Sequence, residues 1–119
     1  MVRPDHFLEF AKRLLDDPNC SESDLRVAAH AAYYSVYHLM AEYFGLNTEK
    51  REAKHGTIIS KLEIIDFSSS PGYVQKARAV YRTLIDIREQ ADYHITKPFD
   101  GADAEDALEK ARGVFARIL

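Results

Sequence analysis

Ser21-Glu22-Ser23-Asp24-Leu25-Arg26-Val27-Ala28-Ala29-His30-Ala31-Ala32-Tyr33-Tyr34-Ser35-Val36-Tyr37-His38-Leu39-Met40-Ala41-Glu42-Tyr43-Phe44-Gly45 is the most apolar segment of the chain, and it contains no Pro. A Ser or Asp oxygen at its start can accept the orphan N–H groups of a first helical turn, and Gly45 supplies a stop. At about 100° per residue, Leu25, Ala28, Ala32, Val36, Leu39, Met40 and Tyr43 fall on one broad face, while Val27, Ala31, Tyr34 and Ala41 fall on the opposite side. The segment is therefore expected to be a helix buried on two sides. One bundle core covers only one of them, so this helix and the fourth helix are expected to share a two-fold interface in a homodimer.

Outward from that segment the 3.6-residue period is the only one that recurs; no alternating strand pattern of useful length and no internal repeat is found. A first helix is expected from about Pro4 to Asp16, with Phe7, Leu8, Ala11, Leu14 and Leu15 inward and Pro18 ending it. A hydrophilic loop, Leu46 to His55, carries Glu49, Lys50, Arg51, Glu52 and Lys54. A short helix then starts near Gly56 with Ile58, Ile59, Leu62 and Ile65 facing inward. Ser68-Ser69-Ser70-Pro71 reads as a loop leading into a helix with Pro in its first turn, where the missing N–H costs nothing. That fourth long pattern runs to about Ile95 with Ala77, Val80, Tyr81, Leu84, Ile87, Ala91 and Ile95 as its stripe, and Pro98 and Gly101 break it. An Asp cap, Asp100 or Asp103, opens the last helix, whose repeat is Ala107, Leu108, Ala111, Val114, Phe115 and Ile118. The fold class expected is all-α: an up-and-down four-helix bundle with an additional short helix, in a single domain over residues 1–119.

The bulk properties agree with that class. The chain has 119 residues, 16 Lys plus Arg against 19 Asp plus Glu, and 46% hydrophobic residues, with a single cysteine. A chain of this length buries roughly two-thirds of the surface its unfolded form exposes, enough for a core without disulfides. Cys20 has no partner in the chain and lies in Asp17-Pro18-Asn19-Cys20-Ser21, a loop setting suited to a reducing compartment. The N-terminus has no apolar run of the signal-peptide kind and no segment approaches the ~18 apolar residues of a membrane span, so a soluble cytoplasmic protein without membrane contact is expected. The net charge of -3 excludes a general nucleic-acid coat with a broad basic face but allows a local basic site.

Several chemistries fail on their residue requirements. A di-iron bundle needs two Glu-x-x-His pairs on separate helices, whereas only Glu52-Ala53-Lys54-His55 occurs, in the loop; His38 and Glu42 are four apart but two ligands do not make a site. No metal and no other cofactor is expected. Cys20 has no neighbouring base, no Ser lies in a Gly-x-Ser-x-Gly turn, and there is no phosphate-cradling Gly loop. Tyr33, Tyr34, Tyr37 and Tyr43 are the aromatic groups able to stack bases, although on a buried helix Tyr at these spacings reads first as core with its hydroxyl paired.

Asp86-Ile87-Arg88-Glu89-Gln90-Ala91-Asp92-Tyr93-His94 is the segment that invites a functional reading. Arg88 and Asp92, four apart, can pair along one helix face. His94 follows Arg88 by about 120° around the helix and about 9 Å along it, so the two sit about 40° and about 80° to either side of a stripe centred on Leu84. A seam-flanking Arg and His suit a groove for phosphate, the guanidinium gripping oxygens in fork geometry and the imidazole moving a proton near neutral pH. The same spacing also describes a structural Arg–Asp pair and a histidine beside the last carbonyls of its own helix.

With these residues in view, the chain resembles the HEPN family of small all-α domains, whose signature is Arg, four to six residues, then His, here Arg88 to His94. Ala31-Ala32-Tyr33-Tyr34-Ser35-Val36-Tyr37-His38, Lys54-His55-Gly56 and Ala91-Asp92-Tyr93 are similar to segments of a prokaryotic HEPN subfamily, in matching order. The resemblance implies a four- or five-helix bundle, usually dimeric, and a metal-independent endoribonuclease, in many members the toxin of a toxin–antitoxin pair, with Arg and His of two subunits converging at one cleft. By motif position, Arg88 would hold the scissile phosphate and His94 would serve the 2′-hydroxyl or the leaving oxygen. Asp92 and Tyr93 would support them. Lys50, Arg51, Lys54 and His55 would bind the flanking RNA. Glu89 departs from the Asn, Asp or His that active members commonly place after the Arg. The family also implies an alternative, a non-catalytic module that binds a nucleotide or a partner such as an antitoxin or a small nucleotidyltransferase.

Overall fold

The computed structural model describes residues 2–50 and 54–118. Five α-helices follow in order, α1 (Pro4–Asp16), α2 (Glu22–Tyr43), α3 (His55–Ile64), α4 (Gly72–Tyr93) and α5 (Gly101–Phe115), with a 3₁₀ turn at Phe67–Ser69 before α4 and no strand among the described residues. The architecture is the expected all-α bundle, four long helices with the short α3 added. No helix among the described residues is long and apolar enough to cross a membrane.

Local chemistry sets the helix limits. Ser21 caps α2, accepting the Asp24 N–H at 3.1 Å while Asp24 Oδ2 accepts the Ser21 N–H at 3.0 Å, a reciprocal box that satisfies two groups left without helical partners. Asp100 and Asp103 do the same for α5, both bonds at 3.1 Å. At the far end of α2, Gly45 takes φ +68°, and the Leu46 and Gly45 N–H groups donate to Ala41 and Glu42 carbonyls at 2.8 and 3.2 Å. That left-handed turn is the Schellman arrangement, which favours glycine because a Cβ is disfavoured at such φ.

Helix α2 is the axis of the bundle and touches each of the other four helices. Ala28, Ala29, Ala31, Ala32 and Ala41 are all buried on it, and their short side chains let neighbouring backbones approach closely. Ser35, also fully buried, donates its hydroxyl to the Ala32 carbonyl at 2.6 Å, so no polar group is orphaned there. The remaining core comes from Ala11, from Ile58 and Leu62, from Val74, Ala77, Val80, Tyr81, Leu84 and Ile87, and from Ala104, Ala107, Leu108, Ala111 and Val114.

Several expectations are corrected. Both sides of α2 are covered by its own chain, Ala31 and Ala41 included, so the two-sided pattern reports a central helix and is no argument for a second subunit. Val27 and Tyr43 are instead 46% and 39% exposed. Helix α4 stops at Tyr93, which leaves Ile95 outside the stripe and 72% exposed. Ile118 lies past the end of α5 and is 42% exposed. Pro71 is the residue before the first turn of α4, where its extended ψ of 151° still suits it, and α3 begins one residue earlier than expected, at His55.

The end of α4 is held by Arg26 of α2. Its Nη1 donates to the carbonyls of Gln90 and Ala91, both at 3.0 Å, and its Nη2 to those of His94 and Lys97, at 3.4 and 2.5 Å. The guanidinium also lies 5.3 Å from the Phe99 ring centre, and Glu22 Oε1, 3.9 Å from Arg26, accepts the Phe99 N–H at 2.8 Å. A cation satisfying the last carbonyls of a helix is favoured by the helix dipole. Since hydrogen bonds from charged donors contribute about 1.5–3 kcal/mol, Arg26→Ala should lower unfolding free energy by about 2–3 kcal/mol. Denaturant titration measures that loss, and amide hydrogen exchange should show faster opening of residues 93–99 than of α1.

Candidate functional site

Three tyrosine rings surround Arg88. Its guanidinium carbon lies 5.3 Å from the ring centre of Tyr33, 6.0 Å from Tyr34 and 5.6 Å from Tyr93, and only 6% of the residue remains exposed. The i to i+4 spacing on α4 places Asp92 on the same face, with Nη1 3.4 Å from Oδ2. The same Asp92 oxygen is 2.8 Å from His30 Nδ1 on α2, so one carboxylate oxygen meets both Arg88 and His30. Burial works against the charge on Arg88, but interaction with the Tyr93 side chain, the other tyrosines and Asp92 outweighs it and holds the guanidinium above its ordinary pKa. The buried Nε–H has no hydrogen-bond partner among the described residues.

A histidine adjoins this arginine, and it is His55 rather than His94. As the first residue of α3, His55 packs its ring 5.3, 6.0 and 5.4 Å from those of Tyr33, Tyr34 and Tyr37, and its Nδ1 bonds the Tyr33 hydroxyl. That hydroxyl is in turn 3.0 Å from the Tyr81 hydroxyl. Burial, then the Arg88 charge, lowers the His55 pKa, with Glu89 opposing. The imidazole is thus neutral at pH 7. Burial raises the pKa of both Tyr33 and Tyr81 well above the phenol range, so both keep their protons. Glu89 is exposed, and its charge still reaches His55.

The structure separates the remaining expected residues. His94 is the residue after α4, with φ -96° and ψ 54°. It lies in the exposed class and borders a cleft of about 310 Å³ with Gln90, Lys97, Pro98 and Phe99. The expectation that Arg88 and His94 flank one seam fails within a single chain: Arg88 is covered by the bundle, whereas the chain has left the helix at His94. Asp92 and Tyr93 contact Arg88, the first by its ion pair and the second by its ring. Lys54 is the exposed residue preceding α3, beside His55. Lys50 is exposed in a turn closed by its N–H to the Asn47 carbonyl at 3.2 Å. Arg51 and Glu52 lie outside the described residues.

Sequence reasoning missed His30, Tyr81 and Arg26. Their partners stand 62, 48 and 64 or more residues away, so no local spacing could have announced them. A second cleft, about 470 Å³, opens between the start of α1 and the end of α2 and is lined by Phe7, His38, Glu42 and Glu49 among others. His38 stacks on Phe7 at 5.1 Å, and burial lowers its pKa. No group of three or more His, Cys, Asp or Glu among the described residues is arranged to hold a metal ion. The chain matches no family model, no curated protein and no solved structure.

The depressed pKa values of His38 and His55 have a thermodynamic consequence. Between a lowered folded pKa and the unfolded value of 6.5, the unfolded chain binds more protons, so stability rises with pH. Their contribution is complete above pH 6.5 and is lost as pH falls through the folded values. Thermal unfolding followed between pH 8 and pH 5 should show a falling midpoint below about pH 6.5, and His55→Gln should reduce the slope. A midpoint that rises on acidification in that window would contradict the assignment of both rings as neutral.

Proposed function

We propose that the protein is a metal-independent endoribonuclease of HEPN type, acting as a toxin in a toxin–antitoxin pair and working as a homodimer. The observation that carries this reading is the Arg88 guanidinium: held charged, floored by tyrosine rings, and left with an unpaired Nε–H. A planar cation with a spare donor beside aromatic faces is suited to a phosphodiester and its flanking bases. Tyr93, 69% exposed, is the most exposed of the three rings against the guanidinium. Lys54, next to His55, and Lys50, with Arg51 following it in sequence, would draw in the RNA backbone in a salt-sensitive manner.

Cleavage without a metal needs a proton acceptor and a charge acceptor. The 2′-hydroxyl gives up its proton to the His94 imidazole, its oxygen bonds to phosphorus, and Arg88 meets the added charge on the phosphoryl oxygens. The bond from phosphorus to the 5′-oxygen breaks, that oxygen takes up a proton from solvent water, and the His94 imidazolium returns its proton to solvent. The products carry a 2′,3′-cyclic phosphate and a 5′-hydroxyl. Because His94 borders the cleft with Gln90, Lys97, Pro98 and Phe99 while Arg88 is almost wholly buried, a site that uses both would join Arg88 of one subunit to His94 of the other.

A second reading has an observation of its own. Arg88 is almost wholly covered and ion-paired to Asp92, which also suits a non-catalytic module that binds a nucleotide or a partner such as an antitoxin or a nucleotidyltransferase. Mixing inactive variants separates the two. Arg88→Ala and His94→Ala should each abolish chelator-resistant RNA cleavage alone. Combined, they should recover about a quarter of wild-type activity, because half the dimers then hold one intact composite site of two. No cleavage by the wild-type chain would favour the module, and full activity of His94→Ala would remove His94 from the chemistry.

A further inference from the structure

The Tyr81–Tyr33–His55 chain carries information about hydrogen placement. Tyr81 is 1% exposed, and among the described residues its hydroxyl has a single partner, the Tyr33 hydroxyl at 3.0 Å. A buried hydroxyl proton must be donated, since leaving it unpaired costs about 1–3 kcal/mol. Tyr81 therefore donates to Tyr33, and Tyr33 spends its own proton on His55 Nδ1. The reverse order, with Nδ1–H donating to Tyr33 and Tyr33 to Tyr81, strands the Tyr81 proton in the core. A neutral imidazole whose Nδ1 accepts must carry its hydrogen on Nε2. That Nε2–H has no partner among the described residues.

Arg88 and His55 also lean on the same two rings. The guanidinium carbon and the imidazole centre are each 5.3 Å from the Tyr33 ring centre and each 6.0 Å from that of Tyr34. Against these two rings stand an enclosed, unpaired Nε–H of Arg88 and, in the tautomer just derived, the Nε2–H of His55.

We propose that His55 is a fixed N–H donor to the phosphoryl oxygens of the bound phosphodiester at the Arg88 site, and that Tyr33 and Tyr81 are positioning residues that lock its Nε2–H form. The role is that of an electrophile and not of a base: a ring whose Nδ1 is already committed to Tyr33 and whose Nε2 bears the hydrogen has no lone pair for a 2′-hydroxyl proton. It offers a neutral donor that stays in place while charge builds on phosphorus, which is the kind of preorganised partner a transition state rewards. This inference rests on the reading of Arg88 as a phosphate site, but it assigns His55 a role distinct from that of His94.

The experiment is imidazole and guanidinium ¹⁵N NMR on the full chain at pH 7, titrated with inorganic phosphate and then with a short single-stranded RNA carrying a 2′-deoxy sugar at each step. His55 should show an Nε2–H, Nδ1-acceptor pattern, and both its Nε2–H and the Arg88 Nε–H should shift saturably with either probe. In Tyr81→Phe, which removes the forcing proton while leaving a phenyl ring in the core, the two tautomers should mix and phosphate affinity should fall. In His55→Ala it should fall about tenfold or more, the range of a lost hydrogen bond to a charged group. An Nδ1–H pattern in the wild-type chain overturns the proposal. A shift at Arg88 without one at His55 overturns it while the phosphate reading stands, and no shift at either overturns both.

Discussion

A guanidinium taken out of water loses hydration worth several kcal/mol, and it stays charged in a protein only where partners are already in place to replace that water. Arg88 meets this condition through elements that are distant in sequence: Asp92 on its own helix, Tyr33 and Tyr34 on the central helix, and the ring of Tyr93 at the surface. Each partner must be held at its distance by the fold. The central position of α2, enclosed by the other four helices, fixes Tyr33 and Tyr34; the Arg26 clasp on the last carbonyls of α4 fixes where that helix ends and hence where Tyr93 and His94 stand.

The same constraint explains how the histidines divide. His55 enters the aromatic cluster because α3 starts at that residue, and it remains neutral because burial and the Arg88 charge both oppose protonation. His94 stays outside because α4 ends one residue before it. An Arg-x5-His spacing drawn on a continuous helix puts both side chains beside one seam; a helix that stops at Tyr93 turns the second away toward Gln90, Lys97 and Phe99. Within one chain it is therefore His55, and not His94, that shares the Tyr33 and Tyr34 rings with Arg88.

Much of the fold was legible from local rules. The span of α1, a Ser or Asp cap at the start of α2 with Gly45 at its end, and an Asp cap for α5 follow from residue types acting over a turn or so of chain; which residue caps, Ser21 and Asp100, the structure decides. The apolar stripe of α4 was legible except at Ile95, where a single turn of missing helix changes a core position into an exposed one. The doubly apolar pattern of α2 was legible as burial but silent on what does the burying, because a wheel does not distinguish a neighbour in the same chain from one in another. Of the site, the Arg88–Asp92 pair could be read from its i to i+4 spacing. His30 against Asp92, Arg26 against α4 and Tyr81 against Tyr33 are tertiary contacts with no sequence signature, and they decide charge, tautomer and helix end.

Buried ion pairs are seldom the most stable filling for their volume; apolar residues of similar size often do as well or better. If Arg88 is kept for what it binds, its pair should be dispensable for folding. The most direct measurement is the RNA affinity of Arg88→Met/Asp92→Leu, a replacement that fills the same space without charge, read together with its unfolding midpoint. The account predicts stability within about 1–2 kcal/mol of wild type and loss of RNA binding by tenfold or more. A variant that unfolds easily yet still binds RNA as tightly as the wild-type chain would contradict it, and would make Arg88 a structural residue.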